Sequence, residues 1–66
     1  MAIKIIEVIG VSSESMEEAV ENAVEEVSKT IRNISGVDIL GYTAKVEDGK
    51  IVSWSANVKI AFEVER

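Results

Sequence analysis

The sequence contains no cysteine and no histidine among its 66 residues. Disulfides and metal sites built from thiolates or imidazoles are therefore excluded. We expect a chain of this length to form one domain, residues 1–66, but folding at this size hides only about 60% of the unfolded chain's surface. Such small proteins usually rely on disulfides, a structural metal or oligomerisation. The composition thus predicts self-assembly, with oxygen-ligated ions as the remaining kind of metal site.

The residues that most enzymes need are missing as well. Because histidine and cysteine are absent, no serine has a visible base as a partner, and no glycine-rich loop that would hold a phosphate is present. Nucleophilic and metal-hydroxide mechanisms require such groups. The sequence therefore predicts a protein that is not an enzyme.

Positive charge and long apolar runs are scarce. Twelve acidic residues outnumber seven basic ones, which gives a formal net charge of −5. This sign repels nucleic acids and anionic membranes. No apolar run approaches the roughly 18 residues of a membrane span, and Lys4 and Glu7 interrupt the short apolar N-terminus, so no signal peptide is predicted. We expect a cytoplasmic protein without nucleic-acid or membrane partners.

One segment, residues 13–34, has the periodicity of a long helix. Ser15 is followed three residues later by Glu18, which is the pattern of a capping box. Apolar residues then recur at spacings of three and four, which predicts one continuous apolar side. The residues of this stripe are Met16, Val20, Ala23, Val24, Val27, Ile31 and Ile34.

The charges of this segment also match a helix. Acidic residues fill the first turns, whereas Lys29 and Arg32 lie near the end, where they complement the helix dipole. Glu25 and Lys29 have the spacing of a favourable ion pair. Gly36 suits the left-handed conformation that often follows a helix, so we expect the helix to end between Asn33 and Gly36.

Three strands are predicted, at residues 2–11, 37–46 and 51–65. In the first, apolar residues lie on both sides, so the strand is either covered on both faces or bulged near Ile5 and Ile6. Asp48-Gly49 predicts a tight type I′ hairpin turn between the other two. The third strand would span roughly 50 Å and a 20-residue helix about 30 Å, so the strand must curl around the helix or project past it.

The predicted class is therefore α+β, with a β-α-β-β order and a three-stranded antiparallel sheet curved around one long helix. In this order and at this spacing, five segments together resemble the dodecin family. They are residues 10–15 (GVSSES), 17–24 (EEAVENAV), 28–34 (SKTIRNI), 46–50 (VEDGK) and 58–62 (VKIAF). The resemblance covers nearly the whole chain.

The resemblance implies this same fold and a hollow, spherical homododecamer. Many dodecins stack flavins in pairs between tryptophans near twofold axes, in storage or scavenging rather than in catalysis. In this sequence Gly36 takes the position of that tryptophan, and Ser55 takes the position of a glutamine that binds the flavin edge. Thr43 and Glu63 match positions where members that hold phosphorylated flavins can carry arginines. The usual flavin site is therefore expected to be degenerate.

Each of these positions has two interpretations. Gly36 either reshapes a ligand pocket or simply terminates the helix. Ser55 either contacts a ligand or is an ordinary outward serine. Trp54 lies on the other side of its strand from Ser55, so we expect it to pack beneath the helix rather than to stack on a ligand.

The carboxylates leave a second question open, because they either form a solvated surface or supply a cation site. No local calcium-loop motif occurs, but an assembly can gather one carboxylate from each of several copies at a symmetry axis. Some dodecin-like proteins without the flavin tryptophan are described as calcium dodecins. The first hypothesis is therefore a binding or sequestration protein for a divalent cation, calcium or magnesium, whose metal ligands are unassigned. The alternatives are a riboflavin or FMN storage protein with a rearranged site, and a structural shell without a ligand.

Overall fold

The computed structural model describes residues 1–64 and confirms the β-α-β-β order with a three-stranded antiparallel sheet and one helix. The elements are β1 (Ala2–Ser12), α1 (Met16–Ser28), β2 (Ile34–Glu47) and β3 (Lys50–Val64). In the sheet, β3 lies between the two edge strands β1 and β2. Within residues 1–64, no helix is long and apolar enough to cross a membrane.

The helix begins at a serine cap, as the sequence predicts. Ser15 has extended backbone angles, and its hydroxyl accepts a hydrogen bond from the Glu18 N–H at 3.0 Å. The second contact of a capping box, in which the glutamate side chain accepts from the N–H of the capping residue, is replaced. The Glu18 carboxylate instead accepts a hydrogen bond of 2.6 Å from the buried Ser12 hydroxyl. Ser12 Oγ in turn accepts from the N–H groups of Glu14 and Ser15, at 2.9 and 3.3 Å. Ser12 therefore joins the end of β1 to the start of the helix.

The prediction that the helix continues to Ile34 is wrong, since α1 ends at Ser28. Asn33, with a φ of 63°, is the left-handed residue of the connection, whereas Gly36 lies inside β2. Asparagine tolerates this conformation better than most side chains. The Asn33 carbonyl accepts a hydrogen bond of 3.0 Å from the Glu63 N–H. Pairing with β3 thus replaces the last helical turns that the apolar periodicity predicts.

Because the helix is shorter than predicted, the charged residues near its end also differ from the prediction. No basic residue lies in the last turn, so Lys29 and Arg32 do not complement the dipole from inside the helix. The predicted Glu25–Lys29 pair is also replaced. Lys29 Nζ instead donates to Glu26 Oε2 at 2.8 Å, and this hydrogen bond raises the pKa of Lys29 above its usual value. Both side chains are exposed.

The buried core is small and lies between α1 and the middle of β3. Val58 and Ile60 are its largest fully buried side chains, and each contributes about 1.5–3 kcal/mol by leaving water. Most of the predicted helical stripe packs on or within this core, but Met16 is 47% exposed. The buried apolar residues are Ala19, Ala23, Val27, Ala56, Val58 and Ile60.

Gly10 sets the distance between the helix and β1. A Cβ atom at this position would overlap the Ala19 carbonyl oxygen and would lie 2.7 Å from Ala23 Cβ. No side chain fits there without moving the helix backbone. The two alanines, one turn apart on α1, and Gly10 therefore allow the helix to lie directly on the sheet.

The first strand is not bulged, so that alternative is wrong. It pairs with β3 in one uninterrupted register from Ala2–Val64 to Ser12–Trp54. The register shifts occur in the pairing of β2 with β3 instead. In β1, Ile6 and Val8 pack against the core, while apolar side chains on the opposite side are exposed. The strand thus carries an apolar surface that its own helix does not cover.

The hairpin between β2 and β3 projects past the helix. Asp48 and Gly49 have φ values of 52° and 75°, which confirms the type I′ prediction. Pairing of β1 ends at Ser12, opposite Trp54, so residues 45–53 extend beyond the three-stranded part of the sheet. The molecule is 52 Å long, whereas a helix of 13 residues spans about 20 Å. A two-stranded ribbon is marginally stable alone, so this end needs further packing.

We expect the Gly10→Ala substitution to destabilise the protein by at least about 1–3 kcal/mol, because the methyl group forces the helix away from the sheet. Gly36→Ala is the matched control. Its Cβ meets no atom within 4 Å, so it should be neutral or add about 0.4–1 kcal/mol. Urea unfolding followed by circular dichroism, at one fixed protein concentration, measures both. Equal effects of the two substitutions would contradict the close contact at Gly10.

The helix cap gives a second prediction. Ser15→Ala removes the acceptor of the Glu18 N–H and should cost about 1 kcal/mol. Ser13→Ala changes an exposed serine of the same loop and should stay within about 0.5 kcal/mol of the unchanged protein. The same unfolding measurement compares them, and a Ser13 effect as large as that of Ser15 would argue against the cap.

Candidate functional site

The four predicted site residues lie on one side of the sheet. Residues directly opposite each other in an antiparallel pair project to the same side. On β3, Ala56, Val58 and Ile60 face the helix, so the alternate residues and their partners form the opposite side, which we call the outer face. It includes Gly36, Thr43, Ser55 and Glu63.

Within one chain these four residues form two groups rather than one site. Thr43 and Ser55 are direct partners across β2 and β3. Gly36 is opposite Ala61, and Glu63 follows two residues later on β3. Six residues of strand separate Ser55 from Ala61, which corresponds to roughly 20 Å. A ligand the size of a flavin ring does not contact both groups in the same subunit.

The structure excludes one of the two interpretations of Gly36. This residue lies within β2 rather than at the helix end, and its φ is not positive. A Cβ built on it meets no atom within 4 Å. The helix-terminating interpretation is therefore wrong, and neither backbone conformation nor crowding inside the subunit requires a glycine there. The space beside Gly36 is open. The interpretation that this residue reshapes a ligand pocket therefore stays a prediction.

Ser55 and Trp54 occupy opposite sides of β3. Ser55 is half-buried on the outer face, between Val11 on β1 and Thr43 on β2. Trp54 shares the helix-facing side with Ala56, as its parity predicts, but it is only half-buried and lies outside the buried cluster. Its indole ring therefore does not belong to the outer face.

The three aromatic residues of the chain all project away from the outer face. Tyr42 is opposite Ala56, Trp54 has the parity of Ala56, and Phe62 has the parity of Ile60. Since these are the only Trp, Tyr and Phe residues in the sequence, the outer face carries no ring. A planar ligand on this face would have hydroxyl groups and a glycine beside it, but nothing on which to stack.

The charged residues of the outer face form a row across the sheet. Glu7 and Asp38 are the partners of Lys59 on its two sides, and all three are exposed. Within residues 1–64 no group of three or more acidic side chains is close enough to hold a metal ion. The described part of one chain therefore brings no such acidic group together. Glu65, the last residue of the predicted third strand, lies outside the described residues.

Two features of the sheet were missed by reasoning from the sequence. The first is the order β1-β3-β2, which places Ile5 and Gly36 in one row across the sheet. The second is the role of Gly10, whose signal was a glycine inside a β-branched run, followed by alanines spaced four apart. A depression of about 390 Å³ lies elsewhere, at the start of β1 and end of β3, and no acidic residue is among its described lining.

The comparisons with known proteins agree with the fold. The model of the family described as Dodecin matches residues 2–65. A dodecin from Streptomyces coelicolor is 29% identical, with a TM-score of 0.94 over 98% of this chain and 93% of that one. The dodecin from Streptomyces davaonensis is 22% identical, with a TM-score of 0.94 over 98% and 96%.

A third similar structure is that of the calcium dodecin from Mycobacterium tuberculosis, described as a calcium chelating antigen with a novel calcium-binding site. It is 24% identical, with a TM-score of 0.85 over 98% of this chain and 93% of that one. No match was found among curated protein sequences.

Proposed function

This chain belongs to the dodecin family, and we propose that it is a non-catalytic binding protein that assembles as a hollow homododecamer and sequesters a divalent cation. The observation that carries the proposal is the absence of any aromatic side chain from the outer face. Gly36, Ser55, Thr43 and Glu63 would line a vestige of the flavin site there.

The missing rings remove the main source of flavin affinity. An aromatic pair contributes about 0.5–1.5 kcal/mol beyond the large apolar area that it buries. Glycine at position 36 supplies neither the stacking nor the area, and its neighbour Ala61 is small. Trp54 does not substitute, because it projects to the helix-facing side. The outer face is therefore a poor surface for an isoalloxazine ring.

The acidic composition supports a cation as the bound species. Each chain has a net charge of −5, so copies that assemble bring many carboxylates together. Calcium takes six to eight oxygen ligands and magnesium six, both well suited to carboxylates. The described residues of one chain hold no suitable cluster of acidic side chains. The ligands would therefore come from several copies of the chain that meet at a symmetry axis. The calcium dodecin of similar fold is a precedent for calcium binding on this fold.

Assembly is supported by the apolar side chains that one subunit leaves in water. Large exposed apolar patches usually mark protein interfaces. Exposed large apolar residues occur on both sides of the sheet and on the projecting hairpin. They include Ile3, Ile5, Ile9, Val11, Val37, Ile39, Leu40, Tyr42, Val46, Ile51 and Val52.

The alternative is a flavin-storage protein with a rearranged site. One observation favours it, since Thr43 and Ser55 present two hydroxyl-bearing side chains opposite each other on the outer face. These groups can donate to or accept from the polar edge of riboflavin or FMN. A shell that binds neither cation nor flavin is the third outcome.

Titration separates these outcomes. We expect no quenching of riboflavin fluorescence at micromolar protein, because the stacking rings are absent. We expect calcium or magnesium to raise the melting temperature when its concentration exceeds Kd, because a ligand that binds only the folded state stabilises it. Sodium chloride at equal ionic strength is the control for screening of the acidic surface. Tight quenching would instead establish the flavin alternative, and no response to any ligand would leave the structural shell.

Native mass spectrometry of protein purified from its source tests the assembly. We expect a species of twelve chains, each of 7.2 kDa, with any retained cation visible as added mass. Light scattering in solution provides an independent mass. A monomer by both methods would contradict the homododecamer.

A further inference from the structure

The connection between α1 and β2, residues 29–36, has sequence features that the observed fold leaves unused. We propose that this segment has two conformations. In the one described above, its second half pairs with β3 as the start of β2. In the other, α1 continues to Ile34, Gly36 follows the helix end, and the first residues of β2 leave the sheet.

Four properties of the sequence fit the longer helix. Ile34 continues the apolar spacing of α1. Arg32 would lie in the last turn, where a positive charge complements the helix dipole. Glu25 and Lys29 have the i,i+4 spacing of an ion pair that the observed structure does not use. Gly36 suits the left-handed position after a helix. Together they describe a helix end that lies further along the chain than Ser28.

Helical hydrogen bonding already continues past the end of α1. The N–H groups of Lys29 and Thr30 donate to carbonyl oxygens three residues back, at 3.3 and 3.1 Å. The Ile31 N–H donates to the Val27 carbonyl at 3.0 Å, which is the i to i−4 bond of an α-helix. A longer helix therefore grows from a formed turn and needs no new nucleus.

The strand conformation is held loosely at this end of β2. Ile34 is opposite Phe62, and the Asn33 carbonyl accepts a bond of 3.0 Å from the Glu63 N–H. A register shift between Ile34 and Gly36 separates these contacts from the rest of β2. Asn33 also has a φ of 63°, which is unfavourable for most side chains and which a helix would not need. The first residues of β2 can thus leave the sheet while its later pairs remain.

The longer helix also accounts for glycine at position 36. In the strand, Gly36 has no positive φ, and a Cβ there meets no atom within 4 Å. The neighbouring Ser35 hydroxyl lies 3.5 Å from the Ala61 carbonyl oxygen, which is a long bond. After a helix end, glycine adopts the left-handed conformation without steric cost. Glycine is therefore unnecessary in one conformation and suited to the other.

The two conformations differ in what the outer face presents. In the strand conformation, Gly36 lies beside Ala61 on that face. In the helical conformation, Gly36 leaves it and the edge of β3 from Ala61 to Glu63 is uncovered. A ligand or neighbouring molecule that contacts β2 here binds only the strand conformation and shifts the population toward it. The length of the helix is thus coupled to occupation of this end of the outer face.

Substitution of Asn33 tests the equilibrium. Asn33→Ala favours the helix, because alanine is the best helix former and disfavours a positive φ. A helix from Met16 to Ile34 has about 19 residues against 13, so the helical ellipticity at 222 nm should rise by up to about 1.4-fold. Asn33→Gly is the matched control. It accepts a positive φ and is a poor helix former, so its ellipticity should not rise.

A second substitution separates a longer helix from a general effect on the fold. Valine at position 36 favours the strand and disfavours the left-handed conformation. Gly36→Val added to Asn33→Ala should therefore return the ellipticity to the wild-type value. If Asn33→Ala does not raise the ellipticity, or if Gly36→Val does not reverse the rise, the inference is overturned.

Hydrogen exchange of single amides measures the equilibrium even where a variant is less stable. The Glu63 N–H is bonded to Asn33 in the strand conformation and is released in the helical one. Its exchange should be at least about threefold faster in Asn33→Ala and threefold slower in Gly36→Val than in the wild type. The Lys59 amide, opposite Asp38 on the same strand, is the internal control and should keep its rate.

Equal changes at Glu63 and Lys59 would indicate general destabilisation and would overturn the inference, as would an unchanged Glu63 rate in both variants. These measurements need no cation or flavin. Their outcome is therefore independent of the proposed function.

Discussion

The contact of Gly10 with Ala19 and Ala23 is the constraint on which the rest of the structure depends. It brings the helix directly onto β1 and β3, where a methyl group would already overlap the helix backbone. A helix held so close covers a narrow band of the sheet. The small core around Val58 and Ile60 lies under that band, and β2 extends beyond it. The incomplete coverage of the sheet therefore follows from close packing at one place.

The capping serine, the hairpin turn and the alternation of β3 could be predicted because each depends on neighbouring residues. Ser15 caps a helix through a residue three positions away, and Asp48-Gly49 makes its turn without distant contacts. The helix end could not be predicted in the same way. Ile34 continues the apolar helical spacing, yet Asn33 turns the chain so that Ile34 pairs with β3. Pairing between distant strands outweighed the local pattern.

The same limit applies to the candidate site, where the sides of one strand could be predicted but the pairing of distant residues could not. Parity alone places Ser55 on the side of β3 opposite Trp54, which the structure confirms. The sequence could not show that Thr43 is the direct partner of Ser55 while Gly36 lies roughly 20 Å away, since this depends on the strand order and on the register shifts of β2. Helix termination was a reasonable interpretation of Gly36 only while the helix was expected to reach it.

The glycines of this chain lie in two opposite kinds of surroundings, one crowded and one open. Gly10 is required because an atom already occupies the place of its Cβ, whereas Gly36 and Gly41 face empty space. Glycine at both positions weakens an edge strand, although neither crowding nor backbone conformation inside the subunit requires it. The same outer face carries no aromatic ring, so the open space at Gly36 gives a ligand room but no surface on which to stack.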